Sequence, residues 1–337
     1  MFSNPLELPA TRQRLYRLAQ IQYFSPSVLT FALRKVGIIP SRSDWQWFIE
    51  TFLLSLGITL FLSGVVFFFA YNWTSMNRFA KFATIESGLL IPVLFIVWQD
   101  LESLSGKLAL LGASVLVGIL LAVYGQIYQT GADVFTLFLT WALFIFPWVI
   151  VSRFAPLWFF LLLLANLTLI LYWEQSIETV YSPSLFLLLY LLNGISFILY
   201  ESAIKLRILW LSWHTWLGKI IFVMTLTTLV IPTLEAIIKL DKLGFFGHEK
   251  ILSLTILIYL ATTALALIYF SQQRRDLFLL ATTLGGVLVT LTTLLAKWLP
   301  LDETIAWLVL SFIIIGEIYF VTNFLFDLAK KWEERDA

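Results

Sequence analysis

Residues 118–137 read GILLAVYGQIYQTGADVFTL, and this stretch decides the fold class. An apolar run ends at Tyr124, a polar segment follows from Gly125 to Asp133, and a second apolar run begins at Val134. Each apolar run continues beyond the quoted stretch and is about 20 residues long, the length that a helix needs to cross a bilayer core. The stretch therefore predicts two membrane-spanning helices joined by a short connection.

The composition extends this conclusion to the whole chain. Of its 337 residues, 60% are hydrophobic and only 13% are charged, and the mean hydropathy is +0.90. Soluble domains are about 45 to 50% apolar and about 25% charged. We predict an all-α, polytopic helical membrane protein of the inner or cytoplasmic membrane, with the lipid bilayer as its surroundings.

Several classes of function are excluded or disfavoured by the residues that the chain lacks. A formal net charge of +1 offers no basic surface for nucleic acid, so we expect no nucleic-acid partner. The absence of cysteine excludes disulfides and thiolate chemistry. The two histidines, His214 and His248, are predicted on opposite sides of the membrane and cannot share a metal. Because no nucleophile, zinc or phosphate-loop motif occurs, we expect no catalytic residue, no metal and no cofactor.

Hydropathy divides the chain into about ten apolar segments that are long enough to span a membrane. The predicted spans are 50–72, 78–98, 107–128, 133–152, 154–172, 183–201, 213–237, 250–270, 277–297 and 304–327. The boundary between the fourth and fifth spans is marked only by the short sequence VSRFAP.

The residues before the first span form a separate, short helical region. Ser25 followed by proline is typical of a helix N-terminus, and Gly37 is typical of a C-terminal stop. We predict two short amphipathic helices that either lie on the membrane surface or cover the cytoplasmic ends of the spans. The predicted regions are 1–47 (cytoplasmic or interfacial helices), 48–180 (a first membrane half of about five spans) and 181–337 (a second half of about five spans).

The distribution of basic residues predicts the orientation. With these spans, 16 of the 22 Lys and Arg residues fall on the side of the N-terminus and 6 on the other side. Basic residues are enriched in cytoplasmic loops. We therefore expect both termini in the cytoplasm, which requires an even number of spans.

The first half of the chain resembles a bacterial membrane family known as domain of unknown function 2157. The resemblance rests on LRKVGIIPS at 33–41 leading through DWQWF at 44–48, on FFFAYNW at 67–73, and on GQIYQTGADVFTLFLTWALFIFPWVIVSR at 125–153. It covers the core from about Gly64 to Glu174. It implies a short cytoplasmic helical segment followed by many spans, and it implies no activity. The family pattern falls on Asn72, Trp73, Gly125, Gln126, Tyr128 and Asp133.

The opening stretch supplies candidate ligand-binding residues at the outer membrane interface. An aromatic belt explains tyrosine and tryptophan at this depth, and a tight turn explains one or two polar residues. The stretch and its neighbour contain more amide and carboxyl groups than a turn requires, so an outer polar pocket is the second interpretation. The residues of this predicted pocket are Asn72, Trp73, Gln126, Tyr128, Gln129 and Asp133.

Two carboxylates are predicted near the centre of the bilayer, Glu86 in the second span and Glu317 in the tenth. Acidic residues at this depth are costly and often functional, and both are expected to face the bundle interior. Their chemistry suits proton or cation coupling. Alternatively, each is a neutral group hydrogen-bonded to another helix, with Asn166 and Asn193 as partners at similar depth.

The seventh to ninth spans are rich in threonine, which either lines a polar path or bonds to its own helix backbone. Taken together, these features favour an integral membrane protein that binds or moves a small solute, ion or lipid with its mid-membrane carboxylates. The alternative is a non-catalytic membrane subunit or scaffold that docks a partner protein. The carboxylates would then lie in helix contacts, away from any connected cavity.

Overall fold

The computed structural model is built of helices. It describes residues 12–21, 25–72, 75–129, 131, 133–177, 182–206, 215–239, 248–299 and 303–336. The described helices, in chain order, are α1 (Arg12–Ile21), α2 (Pro26–Lys35), α3 (Arg42–Asn72), α4 (Arg78–Gln99), α5 (Leu104–Tyr128), α6 (Val134–Ser152), α7 (Ala155–Ile177), α8 (Pro183–Lys205), α9 (Thr215–Ile238), α10 (His248–Ile268), α11 (Leu277–Trp298) and α12 (Glu303–Asp336). A π-helical turn, Tyr269–Gln273, continues α10.

Ten of these helices are long and apolar enough to cross a membrane. The all-α polytopic prediction is confirmed, and the predicted spans coincide with α3 to α12 with shifts of a few residues at most ends. The largest differences are at the first and last spans. Helix α3 begins at Arg42 and α12 continues to Asp336, because both helices extend into polar sequence beyond their apolar segments.

The two short N-terminal helices are present as predicted. The side chain of Ser25 accepts a hydrogen bond from the Val28 N–H, and Pro26 occupies the first turn of α2. Gly37 has a φ of 76° and ends this segment, since a left-handed residue stops a helix and glycine adopts that conformation at no steric cost. Among the residues of α2, Leu33 is buried.

The chain divides into two compact units. The first consists of residues 1–76 and 330–337, and the second of residues 77–329. The second unit runs through residue 180, where the sequence analysis placed the boundary between the two membrane halves.

Within the second unit, neighbouring helices pack as a series of antiparallel pairs. Helices α4 to α8 each contact the next helix in the chain, because their connections are short. Helix α9 packs against α8, α10 and α11, and its buried residues recur at helical spacing to form one broad face. It is therefore central among helices α8 to α11.

The uncertain boundary between the fourth and fifth spans is a sharp turn. Arg153 follows α6 with a φ of 47°, and the Ser152 hydroxyl oxygen accepts a hydrogen bond from the Phe154 N–H at 3.3 Å. Pro156 lies in the first turn of α7, where a proline leaves no intrahelical bond unmade. The left-handed backbone at Arg153 and the proline at position 156 together separate two apolar runs, between which the sequence has only a short polar interruption.

Threonine in the later spans mostly bonds to its own helix. Thr225 donates to the Ile221 carbonyl, Thr233 to Leu229 and Thr283 to Leu279, each at 2.8 Å. Two tyrosines bond to threonines on other helices: Tyr190 of α8 to Thr262, and Tyr259 of α10 to Thr290. These contacts favour the packing interpretation of the threonine-rich spans over a polar path.

Candidate functional site

An apolar cavity of 460 Å³ lies between α7, α8 and α9. It takes its walls from the first half of α7, the second half of α8 and the first turns of α9. Aliphatic side chains dominate these walls, and no charged residue is among them. The lining residues are Trp158, Leu161, Leu162, Ala165, Leu192, Ser196, Leu199, Tyr200, Ala203, Leu217 and Ile221.

The cavity exists because small residues stand where the helices face one another. Ala165, Ser196 and Ala203 line it, and their short side chains leave space between the larger leucines. The Ser196 hydroxyl donates to the Leu192 carbonyl of its own helix at 2.8 Å, so its hydrogen is already used. The walls consequently offer an apolar guest dispersion contacts and few free polar groups.

One side of the cavity is fixed by a close approach between α8 and α9. Tyr200 is buried, with 4% of its surface exposed, and its ring lies against Gly218. A Cβ atom at position 218 would overlap that ring. Glycine at this position therefore sets how near the two helices come and where the Tyr200 ring stands in the cavity wall.

A cluster of charged groups adjoins Tyr200 at the same end of the helices. Glu201 is buried and forms an ion pair with Arg274, which follows the π-helical turn. The Tyr269 hydroxyl donates to the other Glu201 carboxyl oxygen at 2.8 Å. Arg274 also interacts with the Tyr200 phenol, and its Nε is 3.9 Å from an Asp276 oxygen. The cluster ties α8 to the end of α10.

A reciprocal amide pair joins α7 to α8 deeper in the membrane. Asn166 and Asn193 each donate to the other's carbonyl oxygen, at 3.0 and 2.8 Å, and both side chains are buried. They follow the cavity residues Ala165 and Leu192 by one position in their helices. The expectation that these asparagines bind Glu86 or Glu317 is wrong, because their amide groups bind each other.

The two mid-membrane carboxylates occupy different surroundings. Glu317 accepts a hydrogen bond from the Thr292 hydroxyl of α11 at 2.6 Å, in a contact between α11 and α12. Glu86 is exposed on α4, so the expectation that it faces the interior is wrong for the isolated chain. Neither residue lines the cavity between α7, α8 and α9.

The opening stretch forms a helix end, a turn and a helix start. Helix α5 ends at Tyr128, Gln129 has a left-handed φ of 44°, and Gly131 has a φ of 61°. Asp133 precedes α6 as its N-cap residue without a side-chain capping bond. The two left-handed residues reverse the chain within a few positions, which explains the glycine in the sequence.

Four of the predicted pocket residues are exposed: Gln126, Tyr128, Gln129 and Asp133. The Phe82 ring of α4 and the Tyr124 ring of α5 pack beside Tyr128, with centroid distances of 6.1 and 4.7 Å. The Asn72 side chain and Trp73 lie outside the described residues. The outer pocket therefore stays a prediction.

In the described part of the chain, no group of three His, Asp or Glu side chains is close enough together to hold a metal ion. His214 and the side chain of His248 fall outside the described residues.

Residues 39–158 match a family model described as "Predicted membrane protein (DUF2157)". The family resemblance is confirmed for this part of the chain. No curated protein and no solved structure matches the chain. The DUF2157 match includes the opening stretch and ends at Trp158, the first residue of the cavity wall. Most of the cavity therefore lies in the part of the chain beyond the match.

Sequence reasoning missed the cavity and the charged cluster beside it. In the sequence, Arg274 indicates only membrane topology. Glu201 lies near the end of its span, where a charged residue does not indicate an intramembrane site. A usable signal was nevertheless present: Tyr200-Glu201 stands at the end of an apolar helix, and small residues recur at 196 and 203. Only the packing of three helices shows that these positions surround a space.

Proposed function

We propose that this membrane protein binds the apolar part of a lipid or a similar small hydrophobic molecule in the cavity between α7, α8 and α9. The observation that carries the proposal is the cavity itself, with a volume of 460 Å³ and apolar walls. Ligand pockets commonly measure about 300 to 1,000 Å³ and are mostly apolar, with a few polar groups. The Ser196 hydroxyl oxygen, which can still accept a hydrogen bond, is a polar group of this kind.

The walls favour a hydrophobic ligand over an ion or a polar solute. An ion leaving water for this space would meet no charged wall residue to replace its hydration, and such burial is costly. Glu86 and Glu317, the groups suited to cation or proton coupling, are elsewhere. Of the three predicted ligands, a small solute, an ion or a lipid, the apolar walls of the cavity best support a lipid.

The proposal is tested by photolabelling the purified protein in nanodiscs with a long-chain fatty alcohol that carries a diazirine in its chain. Peptide mass spectrometry then locates the labelled residues. We expect labelling of the cavity walls on α7, α8 and α9 above the labelling of lipid-facing positions such as Phe320 of α12. Equal labelling of cavity and lipid-facing residues would contradict the proposal.

A filled cavity provides the matched comparison. Ser196→Phe places a ring in the space, and its labelling should fall to that of the lipid-facing surface. Ile195→Phe adds a similar ring at the neighbouring position, which is 56% exposed and does not line the cavity. We expect this control to retain the wild-type labelling pattern.

A second candidate function, docking of another membrane polypeptide, is favoured by Glu86. A carboxyl exposed to lipid at mid-membrane costs about 2.5 to 3.5 kcal/mol even on the lenient insertion scale, so a polar group of another polypeptide would stabilise it. Leu90, one turn along α4, is also exposed. We expect Leu90→Cys, carrying a benzophenone maleimide, to photocrosslink to a second polypeptide in native membranes.

The chain's lack of cysteine makes that attachment specific. Leu191→Cys on the exposed face of α8 serves as the control and should crosslink mainly to lipid. Docking through α4 is excluded if Leu90→Cys yields no more product of protein–protein mass than Leu191→Cys.

A further inference from the structure

The cavity between α7, α8 and α9 extends over only part of the membrane thickness. At one end it is lined by Trp158, Ala203 and Leu217, which lie in the first turn of α7, the last turn of α8 and the first turn of α9. At the other end it is lined by Ala165 and Leu192, near the middle of α7 and α8. From Leu192 to Ala203, α8 rises about 16 Å, roughly half of a bilayer core. The cavity therefore lies in the leaflet at the start of α7.

The reciprocal amide pair joins α7 to α8 at the mid-membrane end of the cavity. Asn166 and Asn193 follow the innermost lining residues by one position, and their amides bind each other at 3.0 and 2.8 Å. Each amide also donates to its own helix, Asn166 to the Leu162 carbonyl at 2.8 Å and Asn193 to the Leu189 carbonyl at 2.9 Å. Because all amide hydrogens are used, this end offers no donor to a polar headgroup.

The cavity is closed toward α9 and open toward the lipid. Leu217 and Ile221 of α9 line it and are buried. Leu199 of α8 lines the same space, yet it is 63% exposed in the described part of the chain. Ile195, one turn earlier in α8, is also exposed and continues this outer face. An acyl chain can therefore enter the cavity sideways past Leu199 without leaving the bilayer.

The volume of the cavity limits how much of a lipid it can hold. A water molecule takes up about 30 Å³ of the liquid, and a methylene group is of similar size. The 460 Å³ space thus holds roughly fifteen such groups, enough for one acyl chain but not for two. Because the opening is lateral, the second chain of a two-chain lipid can remain in the bilayer.

We propose that the cavity takes one acyl chain of a membrane lipid from the leaflet at the start of α7, with its terminal methyl group at the Asn166–Asn193 pair. This inference rests on the proposed lipid-binding function and adds the source of the lipid and the direction of its chain. The headgroup lies at the level of Trp158 and Ala203, where α7 and α8 reach the membrane surface. The opposite direction would bury the headgroup at mid-membrane without a hydrogen-bond donor, which is costly.

The test uses two phosphatidylcholine probes in nanodiscs, each with a diazirine at one position of one chain. The first probe carries it near the headgroup and the second near the terminal methyl group, and mass spectrometry assigns the labelled residues. We expect the headgroup-end probe to label Trp158 and Ala203, and the methyl-end probe to label Ala165 and Leu192.

Lipid on the outer surface of the protein follows the same order of depth, so labelling in the cavity needs references on that surface. Ile198 and Leu191, exposed residues of α8, serve as references for the headgroup-end and methyl-end probes. We expect each probe to label its cavity residues above its reference, since a bound chain stays beside the cavity walls longer than a lipid at the outer surface.

A variant filled at the mid-membrane end tests the position of the chain end. Ala165→Phe should reduce labelling of Leu192 by the methyl-end probe to the level of Leu191. Labelling of Trp158 by the headgroup-end probe should persist, which also shows that the rest of the cavity is intact. Leu163→Phe adds the same ring at an exposed position of α7 that does not line the cavity, and this control should keep the wild-type pattern.

The outcomes separate this inference from the proposed function. Labelling of Trp158 by the methyl-end probe and of Leu192 by the headgroup-end probe overturns the direction, and an unchanged pattern in Ala165→Phe overturns the position of the chain end. If the phospholipid probes label the cavity no more than the references while the fatty alcohol does label it, the lipid source alone is wrong. If the fatty alcohol also fails to label the cavity, the lipid-binding function itself is wrong.

Discussion

The indole of Trp141 lies against Gly118, and its Nε1 donates a 2.7 Å hydrogen bond to the Ser114 carbonyl. Ser114 is itself buried, and its hydroxyl donates to the Leu110 carbonyl. The contact joins α5 to α6 on either side of the turn in the opening stretch. Glycine permits it because any side chain at position 118 would occupy the place of the ring.

Gly118→Ala should therefore weaken the α5–α6 pair. The added methyl group overlaps the Trp141 ring, and overpacking of a well-packed site costs about 1 to 3 kcal/mol. Unfolding in mixed micelles with increasing denaturing detergent measures the change in stability. Gly285→Ala in α11 is the matched control, since no atom lies within 4 Å of its added methyl group. Equal effects of the two substitutions would show that the Trp141 contact carries no special constraint.

Asn193→Leu should destabilise the α7–α8 pair by about 1 to 2 kcal/mol. It leaves the Asn166 amide buried without its interhelical partner, and interhelical hydrogen bonds in membranes contribute up to about that amount. The double variant with Asn166→Leu should recover most of the loss, because two apolar groups can pack where one stranded amide cannot. The double-variant cycle gives the coupling energy directly. Additive losses in the two single variants would argue against a coupled pair.

Arg274→Gln should be far more damaging than the loss of an exposed ion pair. It leaves Glu201 buried without its cation, and breaking a buried pair in this way typically costs about 3 to 5 kcal/mol. Adding Glu201→Gln should restore much of the stability by removing the uncompensated charge. Lys239→Gln breaks the more exposed pair with Glu235 and should cost less than about 1 kcal/mol. Similar losses in Arg274→Gln and Lys239→Gln would mean that the cluster is effectively solvated.

The helices were predictable from sequence because the bilayer imposes a single requirement, about 20 apolar residues with all backbone groups bonded internally. Ser25 and Gly37 also act through neighbouring residues alone, so their roles in starting and ending a helix could be predicted from the sequence. The environments of Glu86 and Asn166 could not be predicted from the sequence. They depend on which face of a helix meets its neighbour, and in a helix that is apolar on all sides the hydrophobic pattern gives no direction.

The candidate site could not be predicted for the same reason, because the sequence does not show which faces of the three helices meet. A cavity is a property of three helices together, and the alanine, serine and leucine residues that surround it occur equally in solid packing. The need for glycine at position 218 arises from the Tyr200 ring, which lies against it only when α8 and α9 pack together. The sequence favoured charged groups inside the membrane as the candidate site. The candidate site in the structure is instead the uncharged cavity between α7, α8 and α9, with the ion pair of Glu201 and Arg274 beside it.

The orientation of the chain is the remaining proposal, and it decides which leaflet supplies the ligand. The excess of basic residues on the N-terminal side predicts that Lys205 is cytoplasmic and that Gln129 is outside. Both residues are exposed near helix ends, so single cysteines there can react in a chain that has none of its own. We expect an impermeant maleimide to label Gln129→Cys but not Lys205→Cys in intact cells, and to label both after the membrane is opened. Labelling of Lys205→Cys alone in intact cells would show that the orientation is the opposite one, with the end of α8 and the start of α9 at the outer leaflet.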